Sequence, residues 1–172
     1  MGEDNACNYT FFEEGGLKFM VLSFAFSPND EMIAWASDIV RQHPEQKVIV
    51  ATHYYMRTNG RGNDGYTYGL NGADGEMLWN KFVRSHENIF MVVSGHVLGS
   101  HHQVSMNDAG KPIIETLSDY QGEANGGDGW LQMLRFMPDD NRIDVVAYTP
   151  KLDKYKDKPQ HTYSFEYAMT GE

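Results

Sequence analysis

Two apolar segments of the sequence each end in a histidine. The run VIVAT leads into His53, and the run FMVVS leads into Gly95 and His96. Short, almost wholly apolar runs of this kind are typical of strands that are covered on both faces. Because ligands of open α/β sheets bind beyond the carboxyl ends of the strands, we predict that both histidines lie at one binding site.

A pair of histidines at such a position is suited to metal binding. Neutral imidazole is a ligand for zinc, iron and manganese, and two rings fixed by strand ends need little reorganisation to bind an ion. The glycine before His96 would let the backbone turn tightly there. Each histidine alone is equally typical of a hydrogen-bonded position at a loop edge, whereas the pair together predicts metal ligation by His53 and His96.

The elements that must position this pair alternate between strand and helix. A hairpin with a Gly-Gly turn precedes a helix that we predict Ser27 to cap, and the strand that ends in His53 follows. Asp74 is predicted to cap a second helix before the next apolar strand. From residue 101 onward the pattern becomes antiparallel hairpins. We therefore predict an α/β fold, in one domain over residues 1–172, that ends in an antiparallel meander.

The composition limits the classes of function. A chain of 172 residues with 41% hydrophobic and 13% aromatic content has the composition of a globular domain. The net charge of -10 argues against binding to a nucleic-acid backbone, which relies on clustered Lys and Arg. It leaves a phosphate-handling enzyme open, since bound metal ions can supply the positive charge.

The single cysteine and the hydropathy pattern argue against several kinds of site and against a membrane span. Cys7 alone cannot form an intramolecular disulfide or a multi-cysteine zinc site. No run approaches the roughly 18 apolar residues of a membrane-spanning helix. The first ten residues also lack the apolar core of a signal peptide. We expect a soluble chain without a membrane span, and its compartment stays open.

Several separated blocks together resemble the calcineurin-like metallophosphoesterases. These blocks cover nearly the whole chain in order, and they are FFEEGGLKFMVLSFAFSPNDEMIAWASDIV, THYY, GEMLWNKFVRSHENIFMVVSGHVLG and DYQGEANGGDGWLQMLRF. They look most like the bacterial branch whose late motif reads Gly-His-Val-Leu-Gly, a branch that is often exported. The resemblance implies a sandwich of two sheets flanked by helices, with two divalent metal ions (Zn, Mn or Fe).

The same resemblance implies hydrolysis of a phosphomonoester or phosphodiester. In the family, a hydroxide polarised by two metal ions attacks phosphorus, and the ions stabilise charge on the phosphoryl oxygens. His53 and His96 match two ligands of one of those ions. The partner implied is thus a phosphoester substrate.

The sequence departs from the family pattern at Leu98. Many members carry a second histidine there, in a Gly-His-x-His motif, and leucine cannot ligate a metal ion. His101 and His102 follow three and four residues later. Because alternate residues of a strand point to opposite faces, at most one of them would face the site. We read both as loop or edge-strand histidines.

A second departure concerns motifs that precede the matching blocks in the family. This chain has no Asp-x-His, Gly-Asp-x-x-Asp or Gly-Asn-His motif. On the resemblance, the sequence corresponds to the C-terminal half of a catalytic domain. The bridging aspartate, the asparagine ligand and the general-acid histidine would then lie upstream, and no catalytic residue is assigned within this chain. We expect the chain alone to bind metal weakly and to catalyse poorly.

Other polar and aromatic residues are candidates for the substrate side of the site. Arg57 and Arg61, in the loop after His53, are candidate phosphate contacts because a guanidinium matches phosphate oxygens, although each is also typical of a solvated loop. The segment QGEANGGDGW is a wide turn anchored by Trp130 or a loop that contacts substrate. No role is assigned to the tyrosines that could line a cleft, which are Tyr54, Tyr55, Tyr66, Tyr68 and Tyr120.

Two other functions stay open on the sequence. The chain is alternatively a non-catalytic binding or structural module that keeps half of the fold, as the missing acids and Leu98 suggest. It is alternatively a half-domain that another chain completes. Because the loss of half of a shared core would leave sheet edges and apolar strands uncovered, we expect self-association or low solubility of the isolated chain.

Overall fold

The structure is a computed structural model that describes residues 5–65 and 68–169. Its two longer helices are α1 (Asp30–Gln42) and α2 (Gly75–Lys81). The strands are β1 (Asn8–Glu14), β2 (Leu17–Phe24), β3 (Lys47–Thr52), β4 (Met56–Arg57), β5 (Gly60–Arg61), β6 (Ile89–Ser94), β7 (Gly99–Met106), β8 (Pro112–Asp119), β9 (Leu131–Met137), β10 (Arg142–Thr149), β11 (Lys154–Lys156) and β12 (Thr162–Glu166). The fold is therefore mixed α/β, as predicted.

The largest sheet has six strands in the order β1-β2-β3-β6-β8-β7. Its four central strands, β2, β3, β6 and β8, run parallel to one another. The edge strands β1 and β7 each pair antiparallel with their neighbour. The carboxyl ends of the central strands therefore meet at one end of the sheet.

A second, antiparallel sheet covers one face of the first. In this sheet β10 pairs with β9 along one edge and with β11 and β12 along the other. The core between the two sheets contains residues such as Phe19, Met91 and Ile143, all of which are buried. The antiparallel meander predicted from residue 101 onward is confirmed for β9 to β12, but β7 and β8 belong to the six-stranded sheet, where β8 runs parallel to β6. The strand β11 and the short hairpin of β4 and β5 were not predicted.

The two helices cover the other face of the six-stranded sheet. The buried residues between them and the sheet include Met20, Val50 and Val92 from the strands and Leu78 and Phe82 from the helical segments. The central strands are therefore covered on both faces, which accounts for the almost wholly apolar sequences of β3 and β6. None of the helices in the described part of the chain is long and apolar enough to cross a membrane.

The first hairpin has the turn that its sequence predicts. Gly15 and Gly16 adopt φ values of 58° and 75°, and the pair Glu14 and Leu17 closes the ladder on either side of them. A two-residue turn with both residues at positive φ matches the right-handed twist of the strands that it joins. Glycine occupies such positions without a steric cost.

The prediction that Ser27 caps the first helix is wrong. Asn29 is the N-cap, and its side-chain oxygen accepts a hydrogen bond of 2.9 Å from the backbone N–H of Met32. Ser27 adopts a left-handed φ of 54° instead, and its hydroxyl is buried without a hydrogen-bond partner among the described residues. The Pro-Asn step after Ser27 moves the start of the helix two residues along the chain.

The prediction that Asp74 caps the second helix is confirmed. Its carboxylate accepts a hydrogen bond of 2.9 Å from the backbone N–H of Met77. A second bond of 3.2 Å comes from the backbone N–H of Gly65, so the same carboxylate also holds the loop that follows His53. The helix is shorter than expected, since it ends at Lys81 and a 3-10 turn, Val83–Ser85, follows.

The difference between the predicted and the observed cap of α1 is measurable. We expect Asn29→Ala to lower the free energy of unfolding by about 1 kcal/mol, since a backbone donor loses its partner. Ser27→Ala is the matched control and should cost nothing, because its hydroxyl contributes no hydrogen bond in the described structure. Chemical denaturation of both variants checks this. A larger loss for Ser27→Ala than for Asn29→Ala would contradict the assignment of the cap.

Candidate metal centre

The two histidines of the predicted pair meet at the carboxyl end of the six-stranded sheet. Thr52 and Ser94 are register partners at the ends of β3 and β6. His96 Nδ1 lies 3.0 Å from His53 Nε2, and the ring centroids are 4.7 Å apart. A backbone hydrogen bond of 3.2 Å from Gly95 N–H to the His53 carbonyl joins the two loops. Neighbouring parallel strands thus bring together two residues that are 43 positions apart.

The spacing of the two ring nitrogens fits two ligands of one metal ion. With Zn–N bonds of about 2.0–2.1 Å and tetrahedral angles, two ligating nitrogens lie about 3.3 Å apart. The observed 3.0 Å is close to that value. In the described structure one ring donates its N–H to the other, so ligation would replace one hydrogen bond and would need only a small separation of the rings.

The backbone of His96 is held in an uncommon conformation. Its φ is 68°, in the left-handed region that residues with a side chain rarely adopt, whereas Gly95 has no positive φ. The predicted turn is therefore present, but His96 itself makes it and not the glycine. Strained residues of this kind cost roughly 1–3 kcal/mol and cluster at functional sites. The conformation supports a role for this side chain beyond packing.

Aromatic rings surround the pair. The centroid of Phe26 lies 5.6 Å from that of His53 and 5.1 Å from that of His96. Tyr54 and Tyr68 lie 5.6 and 5.5 Å from the His96 ring. Phe26 is not among the predicted site residues, although it follows the end of β2, a third central strand, and the same strand-end rule would have found it. Tyr66 lies outside the described residues.

These surroundings favour the neutral form of His96. Burial lowers the pKa of the imidazole, and the positive charge of a protonated His53 would lower it further. Asp119 acts in the opposite direction, as its charge favours the protonated ring. A metal ligand must be neutral imidazole, and so the lowered pKa matches the predicted role.

Arg57 lies beside the histidine pair. Together with Tyr68, His96 and Val97 it lines a cavity of about 370 Å³. Its guanidinium forms an ion pair with Asp64, and its Nε donates a hydrogen bond of 3.3 Å to the Tyr54 hydroxyl. The side chain is 35% exposed. The structure thus brings Arg57 next to His96, and its predicted contact with phosphate stays a prediction.

Arg61 lies in a different environment. Its Nη1 donates hydrogen bonds of 3.0 and 2.9 Å to the two carboxylate oxygens of Glu115, which is completely buried on β8. Its Nε donates to Glu76 at 2.7 Å, and the guanidinium lies 4.2 Å from the ring centroid of Trp79. These contacts give Arg61 a structural role in the packing of its loop. A phosphate contact of Arg61 stays a prediction, and the structure does not bring its guanidinium to the cavity that Arg57 lines.

The remaining histidine candidates lie on the edge strand β7, as expected. The ring of His102 stacks on Tyr163 of the second sheet at 3.6 Å, so it faces the core between the sheets. Leu98 is 56% exposed and its side chain lies against Gly122. Within the part of the chain that the structure describes, no three or more His, Cys, Asp or Glu residues form a cluster that could hold a metal ion. The histidine pair therefore fits part of a metal site.

The glycine-dense segment is an ordered turn beside this end of the sheet. Asn125 and Asp128 adopt left-handed conformations, and a Cβ at Gly127 would lie 2.8 Å from the Tyr120 carbonyl oxygen. Trp130 is half-buried and lines a cavity of about 510 Å³ with Tyr120 and other residues. Lys156 lies 4.3 Å from the centroid of the Trp130 ring. These contacts agree with the interpretation as a wide turn anchored by Trp130.

The chain is similar in sequence to "Uncharacterized protein YvnB" of Bacillus subtilis (strain 168). The two are 27% identical over 176 aligned residues, which cover 98% of this chain and 13% of that protein. The structure is similar to that of the NAD nucleotidase (NadN) of Haemophilus influenzae, with a TM-score of 0.43 and 13% identity over 83% of this chain and 28% of that one. No protein-family model matches the chain. The chain thus spans a small part of the length of each of these proteins.

The strain at His96 leads to a prediction about stability. His96→Gly and His96→Ala both remove the imidazole, but only glycine adopts a φ of 68° without strain. We expect the glycine variant to be the more stable of the two by about 1 kcal/mol in metal-free buffer. Denaturation curves of both variants measure the difference. An alanine variant as stable as the glycine variant would show that the position is not left-handed.

The different environments of the two arginines lead to a second prediction. Arg61→Ala leaves the buried carboxylate of Glu115 without its cation, so we expect a loss of about 3–5 kcal/mol in unfolding free energy. Arg57→Ala removes a partly exposed ion pair and should cost about 1 kcal/mol or less. Thermal and chemical denaturation compare the two. Equal losses would contradict the structural role of Arg61.

Proposed function

We propose that this chain is part of a metal-dependent phosphoesterase of the calcineurin-like type and that it supplies two ligands, His53 and His96, to one metal ion. The observation that carries the proposal is the distance of 3.0 Å between His96 Nδ1 and His53 Nε2 at the ends of adjacent parallel strands. The reaction is hydrolysis of a phosphomonoester or a phosphodiester. The proposed ions are divalent. Zinc, manganese and iron are the candidates, because imidazole is a suitable ligand for each of them.

The chemistry divides between the ions and the side chains of this chain. When bound, the ions supply Lewis-acid polarisation of the phosphoryl oxygens and lower the pKa of the attacking water. His53 and His96 would hold one of these ions, and both would bind it as neutral imidazoles. Arg57 binds a non-bridging phosphate oxygen from the side of the cavity that it shares with His96.

Two neighbours hold Arg57 in place for this role. The Tyr54 hydroxyl donates a hydrogen bond of 2.6 Å to Asp64, and Asp64 pairs with the Arg57 guanidinium. Burial and the hydrogen bond to Asp64 raise the pKa of Tyr54 to about 12, so its phenol stays protonated and keeps donating at neutral pH. A phosphate group would then compete with Asp64 for part of the guanidinium, whose planar fork suits both anions.

The complete site requires further ligands. A stable zinc site uses three or four protein ligands, and the described chain brings two imidazoles together. We propose that the other ligands come from a preceding segment of the protein or from another chain, as the resemblance to the C-terminal half of a catalytic domain implies. Metal binding by the 172-residue chain alone is then weak.

The second candidate function is a binding or structural module without catalysis. The observation that favours it is Leu98, whose side chain packs against Gly122 at the position where the resembled family carries a further imidazole ligand. A chain of this kind keeps the strand ends but does not complete a second ion site. The two functions differ in metal-dependent hydrolysis once the remaining ligands are supplied.

Metal binding by the histidine pair tests the proposal. We expect the chain to bind about one zinc ion weakly in a calorimetric titration, and His53→Ala or His96→Ala should each weaken binding by at least about tenfold, as the loss of a ligand requires. His43→Ala is the matched control, because His43 lies at the C-terminal end of α1, where its carbonyl accepts a hydrogen bond of 3.1 Å from Asn88 just before the start of β6, and not at the strand ends that carry the pair. Binding that all three variants retain would contradict the site.

A second measurement separates catalysis from the module. With the remaining ligands supplied, by a preceding segment or by another chain as proposed above, we expect hydrolysis of p-nitrophenyl phosphate or bis(p-nitrophenyl) phosphate that depends on added zinc or manganese. His96→Ala should abolish it, and His43→Ala should not. Metal that binds through His53 and His96 without any such hydrolysis would favour the non-catalytic module.

A further inference from the structure

The strand β1 is an uncovered edge of the six-stranded sheet. Among the described residues it pairs with β2 alone, and all seven of its residues, Asn8–Glu14, are exposed. The opposite edge, β7, is partly covered, because Arg61 of the β5 strand donates a hydrogen bond of 3.0 Å to Ser105. An uncovered edge presents a row of backbone N–H and C=O groups that can pair with another strand.

The hairpin geometry determines which backbone groups face this open edge. In a two-residue hairpin the residues that flank the turn, here Glu14 and Leu17, form a hydrogen-bonded pair. Because the pattern alternates, Glu14, Phe12 and every second residue before them bond to β2. The N–H and C=O groups of Tyr9, Phe11 and Glu13 therefore point away from β2, toward the open edge.

We propose that a second copy of this chain pairs antiparallel with β1, about a two-fold axis that lies midway between Phe11 and the Phe11 of that copy. In this register Phe11 faces Phe11 of the second copy, and Tyr9 faces Glu13. Both are hydrogen-bonded pairs, and each exchanges two backbone bonds. All the outward groups of Tyr9, Phe11 and Glu13 are then satisfied, over the full length of the strand.

The charges of β1 agree with this register. Its two acidic residues, Glu13 and Glu14, lie opposite Tyr9 and Asn8 of the second copy, so no like charges face each other directly. A register with the axis at Glu13 would place two carboxylates opposite each other and is disfavoured. The strand also contains no proline, lysine or bulge of the kind that blocks edge pairing.

Aromatic side chains give the pairing a hydrophobic contribution. Tyr9, Phe11 and Phe12 are 38%, 45% and 44% exposed. On the face toward α1, Phe11 lies 5.3 Å from Tyr9 and 4.8 Å from the His43 ring. The two-fold axis places the two Phe11 rings side by side, so the aromatic clusters of both copies join. Because one strand pair buries a small area, we expect a weak, concentration-dependent dimer.

Measurement of the molecular mass at several protein concentrations tests whether the dimer forms and whether it forms through β1. We expect the mass from light scattering or sedimentation to rise from one chain toward two chains between micromolar and near-millimolar concentrations. Phe11→Lys should weaken this association at least about tenfold, since it places a charge in the pairing edge. Val104→Lys, an exposed position on the other edge strand β7, should leave it unchanged. Unfolding curves of both variants confirm that they fold.

Cross-linking tests the register. In a Cys7→Ala background, Phe11→Cys should form an intermolecular disulfide, because Cα atoms of a hydrogen-bonded pair are about 5.5 Å apart and disulfides need about 4.4–6.8 Å. A mixture of Tyr9→Cys and Glu13→Cys chains should cross-link equally well. Thr10→Cys chains alone should not, because Thr10 faces Phe12 of the second copy.

Three results would overturn the proposal. They are a monomer at every concentration, an association that Val104→Lys removes while Phe11→Lys does not, and cross-linking of Thr10→Cys as efficient as that of Phe11→Cys. None of these measurements involves the histidine pair or metal. The dimer therefore stands or falls independently of the proposed phosphoesterase function.

Discussion

The register between β3 and β6 is the constraint on which the candidate site depends. The pairing is irregular at its start, since Val48 faces Ile89 whereas Ile49 faces Met91. The extra residue on β6 is Phe90. Without this bulge, Thr52 would face Val93 and the histidine loops would be offset by one residue. Because side chains alternate between the faces of a sheet, a shift of one residue would also exchange the side chains that face the helices with those that face the second sheet. The bulge thus brings the two strand ends level.

A buried polar network holds the loop that leaves β3. The Tyr55 hydroxyl donates a hydrogen bond of 2.8 Å to Glu115, and burial together with the charge of Glu115 keeps the pKa of Tyr55 well above its usual value. Arg61 pairs with the same carboxylate, and Gln103 donates to it at 3.1 Å. A buried carboxylate is costly unless it is paired and fully hydrogen-bonded, and here three side chains satisfy it. Tyr55 lies two residues after His53, so the network limits how far that histidine can move.

Much of the fold follows from local sequence patterns. The parts that do not follow from such patterns are determined by long-range contacts. Apolar runs predicted β3 and β6, and the strand-end rule predicted that His53 and His96 would meet, whereas the parallel pairing of β8 with β6 was not predicted. The position of the first cap was misjudged, because Ser27 and Asn29 are equally good capping residues by type. The role of Arg61 depends on Glu115, a partner 54 positions away in the otherwise apolar start of β8, and no local pattern connects the two.

The two proposed properties use different parts of one sheet. The histidine pair lies between the central strands β3 and β6, whereas the pairing edge is β1, with β2 between them. In an antiparallel two-fold pair of β1 strands, the central strands of the second copy run opposite to those of the first. The carboxyl ends of the two sets, and with them the histidine pairs, then lie at opposite ends of the joined sheet. In this arrangement neither copy covers or completes the histidine pair of the other, so the proposed dimer would not supply the further metal ligands that the proposed site requires.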